Sequence, residues 1–435
     1  MRALPGLVAA VFLAVAGEAR AIKFEVPCEE PFVFRDALVN VVVLPYDDPS
    51  APQSRMTAAA RRLSLLVEMD VLFSIAKYGS VGAVQLERDD VLRGGAKQEC
   101  SPDTVLAKLT GARPGARETL RPGHGLVLLW GRVYEEDQQI FVQSYARFLR
   151  QGVAEAVEVN VGDARFRGSL TGQAVAFPPS ALTARDLDLI EEGFARSIVL
   201  REAPRPDAPG QPLRLGAREP PAFWVTDLSG EWMRLASMRD ATAGWVPARV
   251  QLDAGSLREK LPELDMVEAL AGFLRLRQKP APAQTARWIE DALRRFEAHT
   301  TGPRGRLATA VGRELWGIVK LEPSSDEPVD LAAAHAQFAQ AAERAPQSAA
   351  ARNLEVVTRL AAGRAGRIAG VDARAAAEDL ALAAALDPHN RTVLQNLDVL
   401  YDILSREADP TVRIAPDELA RRREVVRRML ARPPA

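Results

Sequence analysis

The side chains best suited to chemistry are few and dispersed. Four histidines (His124, His299, His335 and His389) and two cysteines (Cys28 and Cys100) stand far apart in the chain. No Cys/His set therefore has the close ligand spacing of a metal cage. The sequence carries no serine nucleophile elbow, phosphate-binding Gly-rich loop, paired-His protease motif or calcium-loop spacing. Gly123-His124-Gly125 does not continue into a dinucleotide fingerprint and fits a turn. His389 follows Pro388 and reads as a solvated turn residue. The carboxylate groups Asp47-Asp48, Asp89-Asp90 and Glu135-Glu136-Asp137 could serve acid/base work, which requires two groups facing one point. Adjacent residues in polar turns diverge instead, so solvated turns are the reading. These patterns predict no catalytic residue, no metal and no cofactor.

The elements that would have to position any site are set by the rest of the chain. Its 435 residues suggest about three domains at roughly 150 residues each. Lys plus Arg is 56 against 57 for Asp plus Glu, which excludes a strongly basic nucleic-acid binder. Met1-Arg2, the apolar run Ala3 to Ala16 and the small-residue site Ala19-Arg20-Ala21 predict a secretory signal peptide over 1–21. The run is too short to span a bilayer. Ile22, not Cys, follows the expected cleavage point, so no lipid anchor is expected. A short signal on an Ala- and Arg-rich chain points to a bacterial periplasm. In that oxidising compartment Cys28 and Cys100 are expected to pair, worth roughly 4 kcal/mol by chain entropy. The competing reading, a reactive thiol, lacks a Cys-x-x-Cys motif and a positive setting, since Glu29-Glu30 follows Cys28.

Over 22–197 the pattern mixes strands and helices. Val39 to Leu44 is a buried-strand run stopped by Pro45. Arg55 to Ile75 carries Leu63, Leu66, Val67 and Val71 at helical spacing, and Val81 to Leu86 is a second strand. Ser101-Pro102-Asp103 opens a short helix with Ser as cap and Pro first. Leu126 to Tyr134 and Ile140 to Leu149 form a hairpin across a polar turn. Val157 to Phe177 shows further strand-like alternation, and Leu187, Ile190, Phe194 and Ile198 form an amphipathic run. This order predicts an α/β domain. Val42-Val43-Leu44-Pro45-Tyr46 and Leu128-Leu129-Trp130-Gly131-Arg132-Val133 resemble the amino-terminal domain of the periplasmic Tol-system protein, over about a quarter of the chain.

The stretch 198–252 has its own signature. Ile198-Val199-Leu200-Arg201-Glu202-Ala203-Pro204 is followed by Phe223-Trp224-Val225, Gly230-Glu231-Trp232-Met233-Arg234-Leu235 and Gly244-Trp245-Val246-Pro247. It resembles a bacterial Src-homology-3 domain, which implies a small β-barrel associated with cell-wall or peptide recognition. The family often has a tight turn where this chain has the connection Ala236 to Thr242. Short strands can enclose a core by closing on themselves, with Trp232 and Trp245 expected inside. Phe223 and Trp224 are adjacent and point to opposite faces, so one of them is outside and Trp224 becomes a binding candidate.

From Leu257 the chain turns Ala-rich with helical periodicity. Ala334-x-x-x-Phe338-x-x-Ala341-x-x-x-x-Pro346 repeats as Ala376-x-x-x-Leu380-x-x-Ala383-x-x-x-x-Pro388, and Asn353-Leu354 repeats as Asn396-Leu397. Such periodicity marks stacked helix pairs. The spacing is similar to the tetratricopeptide repeat, over 257–412, although both copies have longer turns than the family. The resemblance implies a concave groove in which an Asn holds the backbone of an extended peptide. Asn353 and Asn396 take that place, with Arg352, Gln395, Arg359 and Asp402 beside them. The alternative is that both asparagines bond only to the neighbouring helix. A basic helix over 413–435 carries Arg421, Arg422, Arg423, Arg427, Arg428 and Arg432. It reads as the polar cap of a solenoid in preference to a membrane-surface helix.

Together these features predict a multidomain α+β protein: an α/β amino-terminal domain, a small β-barrel of Src-homology-3 type and a carboxy-terminal α-helical repeat. The expected work is binding of a protein or peptide by the repeat and of peptidoglycan by the barrel, without catalysis or nucleic acid. A cell-wall-targeted hydrolase with its site in the α/β domain is the alternative, and a structural subunit of an envelope complex is a third. Mass spectrometry of the non-reduced mature protein should return Cys28 linked to Cys100. Two free thiols in freshly isolated periplasmic protein would reject that bridge.

Overall fold

The computed structural model describes, with interruptions, residues 21–432. Residues 1–20, 28–32, 47–62, 88–100, 110–120, 151–156, 191–198, 213–222, 248–256, 323–328, 407–413 and 433–435, with shorter gaps, are outside the described residues. The signal-peptide segment, Cys28, Cys100 and the pairs Asp47-Asp48 and Asp89-Asp90 therefore lie outside them. The chain is a mixed α+β protein, with sheets in its first half and helices in its second. It divides into two units, one of Met1–Gln151 with Ala176–Arg275 and one of Gly152–Val175 with Leu276–Ala435.

In the first unit β1 (Ala21–Pro27), β3 (Val81–Glu87), β2 (Val39–Val43) and β4 (Gly125–Glu136) are parallel neighbours in that order. A strand flanked on both sides by parallel partners is covered on both faces, which is why β2 is a continuous valine-rich run with every residue buried. Helix α1 (Pro102–Leu109) is capped by Ser101, whose Oγ accepts the Thr104 N–H at 3.2 Å. Strand β5 (Gln139–Arg150) returns antiparallel to β4 across Asp137 and Gln138, both at positive φ (51° and 64°), the two-residue turn that matches strand twist. Leu63, Leu66, Val67 and Val71 of the expected helix are buried.

Further along come β6 (Val157–Val161) and β7 (Ala164–Gly168), then β8 (Val175–Ala176), β9 (Ser180–Leu182), α2 (Ala184–Asp188), β10 (Val199–Arg201), β11 (Gly210–Pro212), β12 (Phe223–Ser229), β13 (Trp232–Ser237) and β14 (Ala243–Pro247). Strands 11-10-14-13-12 pair antiparallel in that order, and β12 then pairs with β1. The strands expected to close a barrel over 198–252 thus extend the large sheet, and no closed barrel is present among the described residues. The core of this stretch also differs from expectation. Met233, Leu235, Val246 and Leu200 are buried, whereas Trp232 and Trp245 are only half-buried. Alternation decides this, because Met233 faces Val246 and Leu235 faces Gly244, leaving Trp232 and Trp245 on the other face. Gly244 makes room for Leu200: a Cβ there would lie 2.7 Å from the Leu200 Cβ.

Buried polar contacts join sheet and helix within this unit. Helix α3 (Glu263–Arg277) begins with Glu263 and Asp265, both fully buried at its positive end. Tyr46 donates its hydroxyl to Glu263 Oε1 at 2.9 Å and reaches Ser144 Oγ on β5 at 3.1 Å. Its ring lies over Gly131, where a Cβ would sit 2.2 Å from the ring carbon Cε1. Arg258 holds Asp70 at 2.6 Å, Asp265 at 3.1 Å and Glu268 at 3.6 Å. Lys260 pairs with the buried Asp186, which also closes the capping box with Thr183.

The second unit contains the β6–β7 hairpin and helices α4 (Thr285–His299), α5 (Arg306–Leu321), α6 (Leu331–Arg344), α7 (Ala349–Arg364), α8 (Ala373–Leu386), α9 (Arg391–Arg406) and α10 (Pro416–Ala431). The repeat residues Ala334, Phe338 and Ala341 of α6, and Ala376, Leu380 and Ala383 of α8, are completely buried. Small residues let the helices approach: a Cβ on Gly317 would lie 2.6 Å from the Phe338 ring. Among the described residues no helix is long and apolar enough to cross a membrane.

Burial raises the Asp70 carboxyl to about 6 and the Glu263 carboxyl to about 7, against the counter-pull of Arg258 and of hydrogen bonds respectively. The folded protein then keeps protons that the unfolded chain releases. Their contribution is complete below about pH 4 and is lost as pH rises through 6 to 7. Thermal unfolding should show a midpoint that falls between pH 4 and 7, with a shallower fall in Glu263→Gln. An equal slope in both proteins would remove Glu263 as a cause.

Candidate functional site

The residues brought together by the fold are the two repeat asparagines. Ser348 caps α7, its Oγ accepting the Ala351 N–H at 3.2 Å, and Asn390 caps α9 by accepting the Val393 N–H at 3.2 Å. Each cap fixes the first turn of a helix whose next turn carries the asparagine. Asn353 and Asn396 are 1% and 2% exposed, a level at which an amide must find partners. They find them in Arg167 of β7. Asn396 Oδ1 accepts the Arg167 N–H at 3.0 Å, and Asn396 Nδ2 donates to the Arg167 carbonyl. Asn353 Nδ2 donates to the same carbonyl at 2.8 Å, while its Oδ1 accepts from Asn396 Nδ2 at 2.7 Å. An amide offers donor and acceptor together, so the pair satisfies both main-chain groups of one extended residue.

The strand held there has features on either side of Arg167 that fit it to the helices. Phe166 is fully buried in the same apolar core as Val357, Leu397 and Leu400. Gly168 meets α7 so closely that a Cβ would lie 2.3 Å from Leu354 Cδ2. Glu158 stands opposite Arg167 in the hairpin and pairs with Arg165 at 3.0 Å and Arg167 at 3.8 Å. Gly162, at φ 60°, makes the turn between the strands.

The other candidates do not converge on this clamp. Arg359 pairs with Glu355 at 3.5 Å and with Asp379 at 2.5 Å. Asp402 pairs with Arg423 of α10 at 2.5 Å, and Arg352 bonds the Pro346 carbonyl at 2.6 Å. Gln395 is exposed. Trp224 lies in β12 with its backbone paired to Ala236, and its side chain is outside the described residues. The arginines of α10 are largely neutralised: Arg423 and Arg427 by Asp398 at 2.8 and 3.1 Å, Arg422 by Glu418 at 2.5 Å and Arg428 by Glu424 at 3.0 Å. Burial raises the carboxyls of Asp70 and Glu263 in the first unit, both fully buried, and that of Glu355 on α7, which pairs with Arg359. Among the described residues no group of His, Cys, Asp and Glu has the arrangement of a metal site.

The sequence singles out Asn353 and Asn396 as peptide-binding candidates and shows strand-like alternation over 157–177, but it does not single out Phe166, Arg167 and Gly168, which these asparagines and helices meet. The available signal was the alternation Val157, Val159, Val161 followed by the turn Gly162-Asp163. Nothing in that pattern says that the hairpin docks on helices whose asparagines are 186 and 229 residues away in sequence. In comparisons with known proteins, the chain matches no family model, no curated protein and no solved structure.

Asn396 serves both Arg167 groups and Asn353, whereas Asn353 serves one Arg167 group and Asn396. Asn396→Ala should therefore destabilise the helical unit by about 1–3 kcal/mol, and Asn353→Ala by less. Denaturant unfolding followed by circular dichroism measures both. Equal losses, or none, would contradict the asymmetry.

Proposed function

We propose that this protein is an exported, non-catalytic adaptor of the bacterial envelope, whose helical repeat holds a protein partner as an extended strand. The observation that supports the reading is the clamp: Asn353 and Asn396 together satisfy the N–H and C=O of one extended residue, here the chain's own Arg167. Recognition through the main chain is how a groove accepts a strand, while pockets beside it choose the sequence. The tetratricopeptide-like spacing of Ala334, Phe338, Ala341 and Pro346, and of its second copy, supports the same reading. The Src-homology-3-like stretch contributes a face bearing Trp232 and Trp245, and we assign peptidoglycan or wall peptide to it as a second ligand. The signal-like first 21 residues support export to the periplasm.

The test is capture with the mature, full-length protein. It is offered envelope extract and, separately, purified peptidoglycan sacculi. The expected result is one protein retained from the extract, lost in Asn353→Ala/Asn396→Ala while helical circular dichroism persists. Retention on sacculi alone, or capture indifferent to the two asparagines, would overturn the reading of the repeat. Release of wall fragments from the sacculi would favour the hydrolase alternative.

A further inference from the structure

The clamp of the helical repeat is filled by the protein's own chain. We propose that the hairpin Val157–Gly168 is a resident stand-in for the groove's ligand. In its place the groove takes an extended peptide with an aromatic residue two positions before a glycine. The inference rests on the adaptor reading above and names the ligand that the groove selects.

Three observations carry it. First, the clamp bonds to the main chain of Arg167 through Asn353 and Asn396, and every residue except proline has those groups. The central position of a ligand is thus free in sequence. Second, selectivity comes from its neighbours. Phe166 is fully buried in the core beside the clamp, and Gly168 approaches Leu354 so closely that no Cβ fits without displacement. Together they define aromatic, any residue but proline, glycine.

Third, the hairpin is built as a separable piece. It forms a two-stranded sheet of its own, on a short segment, Gly152–Val175, that is inserted into the second unit from a stretch of chain whose residues up to Gln151 and from Ala176 belong to the first. An isolated hairpin is marginal in water, so the groove supplies much of what keeps this one ordered. A peptide presenting the same groups competes for the same contacts. Its apparent affinity is reduced by the small fraction of molecules whose groove is open.

The experiment uses the full-length protein and a fluorescent peptide of sequence Val157 to Gly168. It is titrated into wild type and into Phe166→Ala/Arg167→Pro, which removes the resident aromatic anchor and the N–H that Asn396 accepts. Binding should be at least about tenfold tighter to the variant. It should disappear when Asn353→Ala and Asn396→Ala are added, or when the peptide's Phe is replaced by Ala. A folded variant that does not bind the peptide would overturn the proposal. Should the variant lose its helical circular dichroism, hydrogen exchange of the wild type decides. Residues 166–168 opening at a lower free energy than α7 supports a displaceable hairpin, and opening only with global unfolding overturns it. Asparagine-dependent capture of a partner without peptide binding would leave the adaptor reading standing and remove this one.

Discussion

A strand that leaves its sheet carries main-chain donors and acceptors that must be paired elsewhere, and the second unit is organised around meeting that demand. The main-chain N–H and C=O of Arg167 in β7 are paired with two side-chain amides on α7 and α9, which also bond to each other. The amides can do this because capped helices hold them at one depth, and because Gly168 lets the strand come within reach. Phe166 then seats in the core formed by the same helices. Hydrogen bonding, close approach and burial are here one constraint, since loss of any of them leaves polar groups unmatched in an apolar setting.

The first unit meets a different demand. Asp70, Asp265 and Glu268 surround Arg258, so one guanidinium is shared among three acids and burial works against all of them. The raised Asp70 carboxyl is the visible result. Such a network adds little net stability over apolar packing, but breaking it strands a charge. The network ties the start of α3, through Asp265 and Glu268, to Arg258 and Asp70.

How far the sequence discloses the structure follows from the range of each signal. The valine run of β2, the Ser101 cap and the β4–β5 hairpin are local patterns, and all are present near their expected bounds. The repeat asparagines are legible because their surroundings recur along the chain. The open sheet path is not legible, because the β12–β1 pairing depends on residues some 200 positions apart. The half-buried Trp232 and Trp245 show how bulk misleads. Side-chain size suggests a core, but strand register assigns the inner face to Met233, Leu235 and Val246. The partner of the clamp was invisible for the same reason as the sheet path, since an alternating hairpin says nothing about the surface that will receive it.

The hairpin's position in the chain also sets an order of events. Residues 157–168 emerge from the ribosome well before Asn353 and Asn396 exist to receive them. Until α9 is complete, β7 presents an open edge next to an unburied phenylalanine, the combination that other chains pair with most readily. The second unit cannot finish until the last third of the protein has arrived, and its closing contact spans 229 residues, which makes it intrinsically slow.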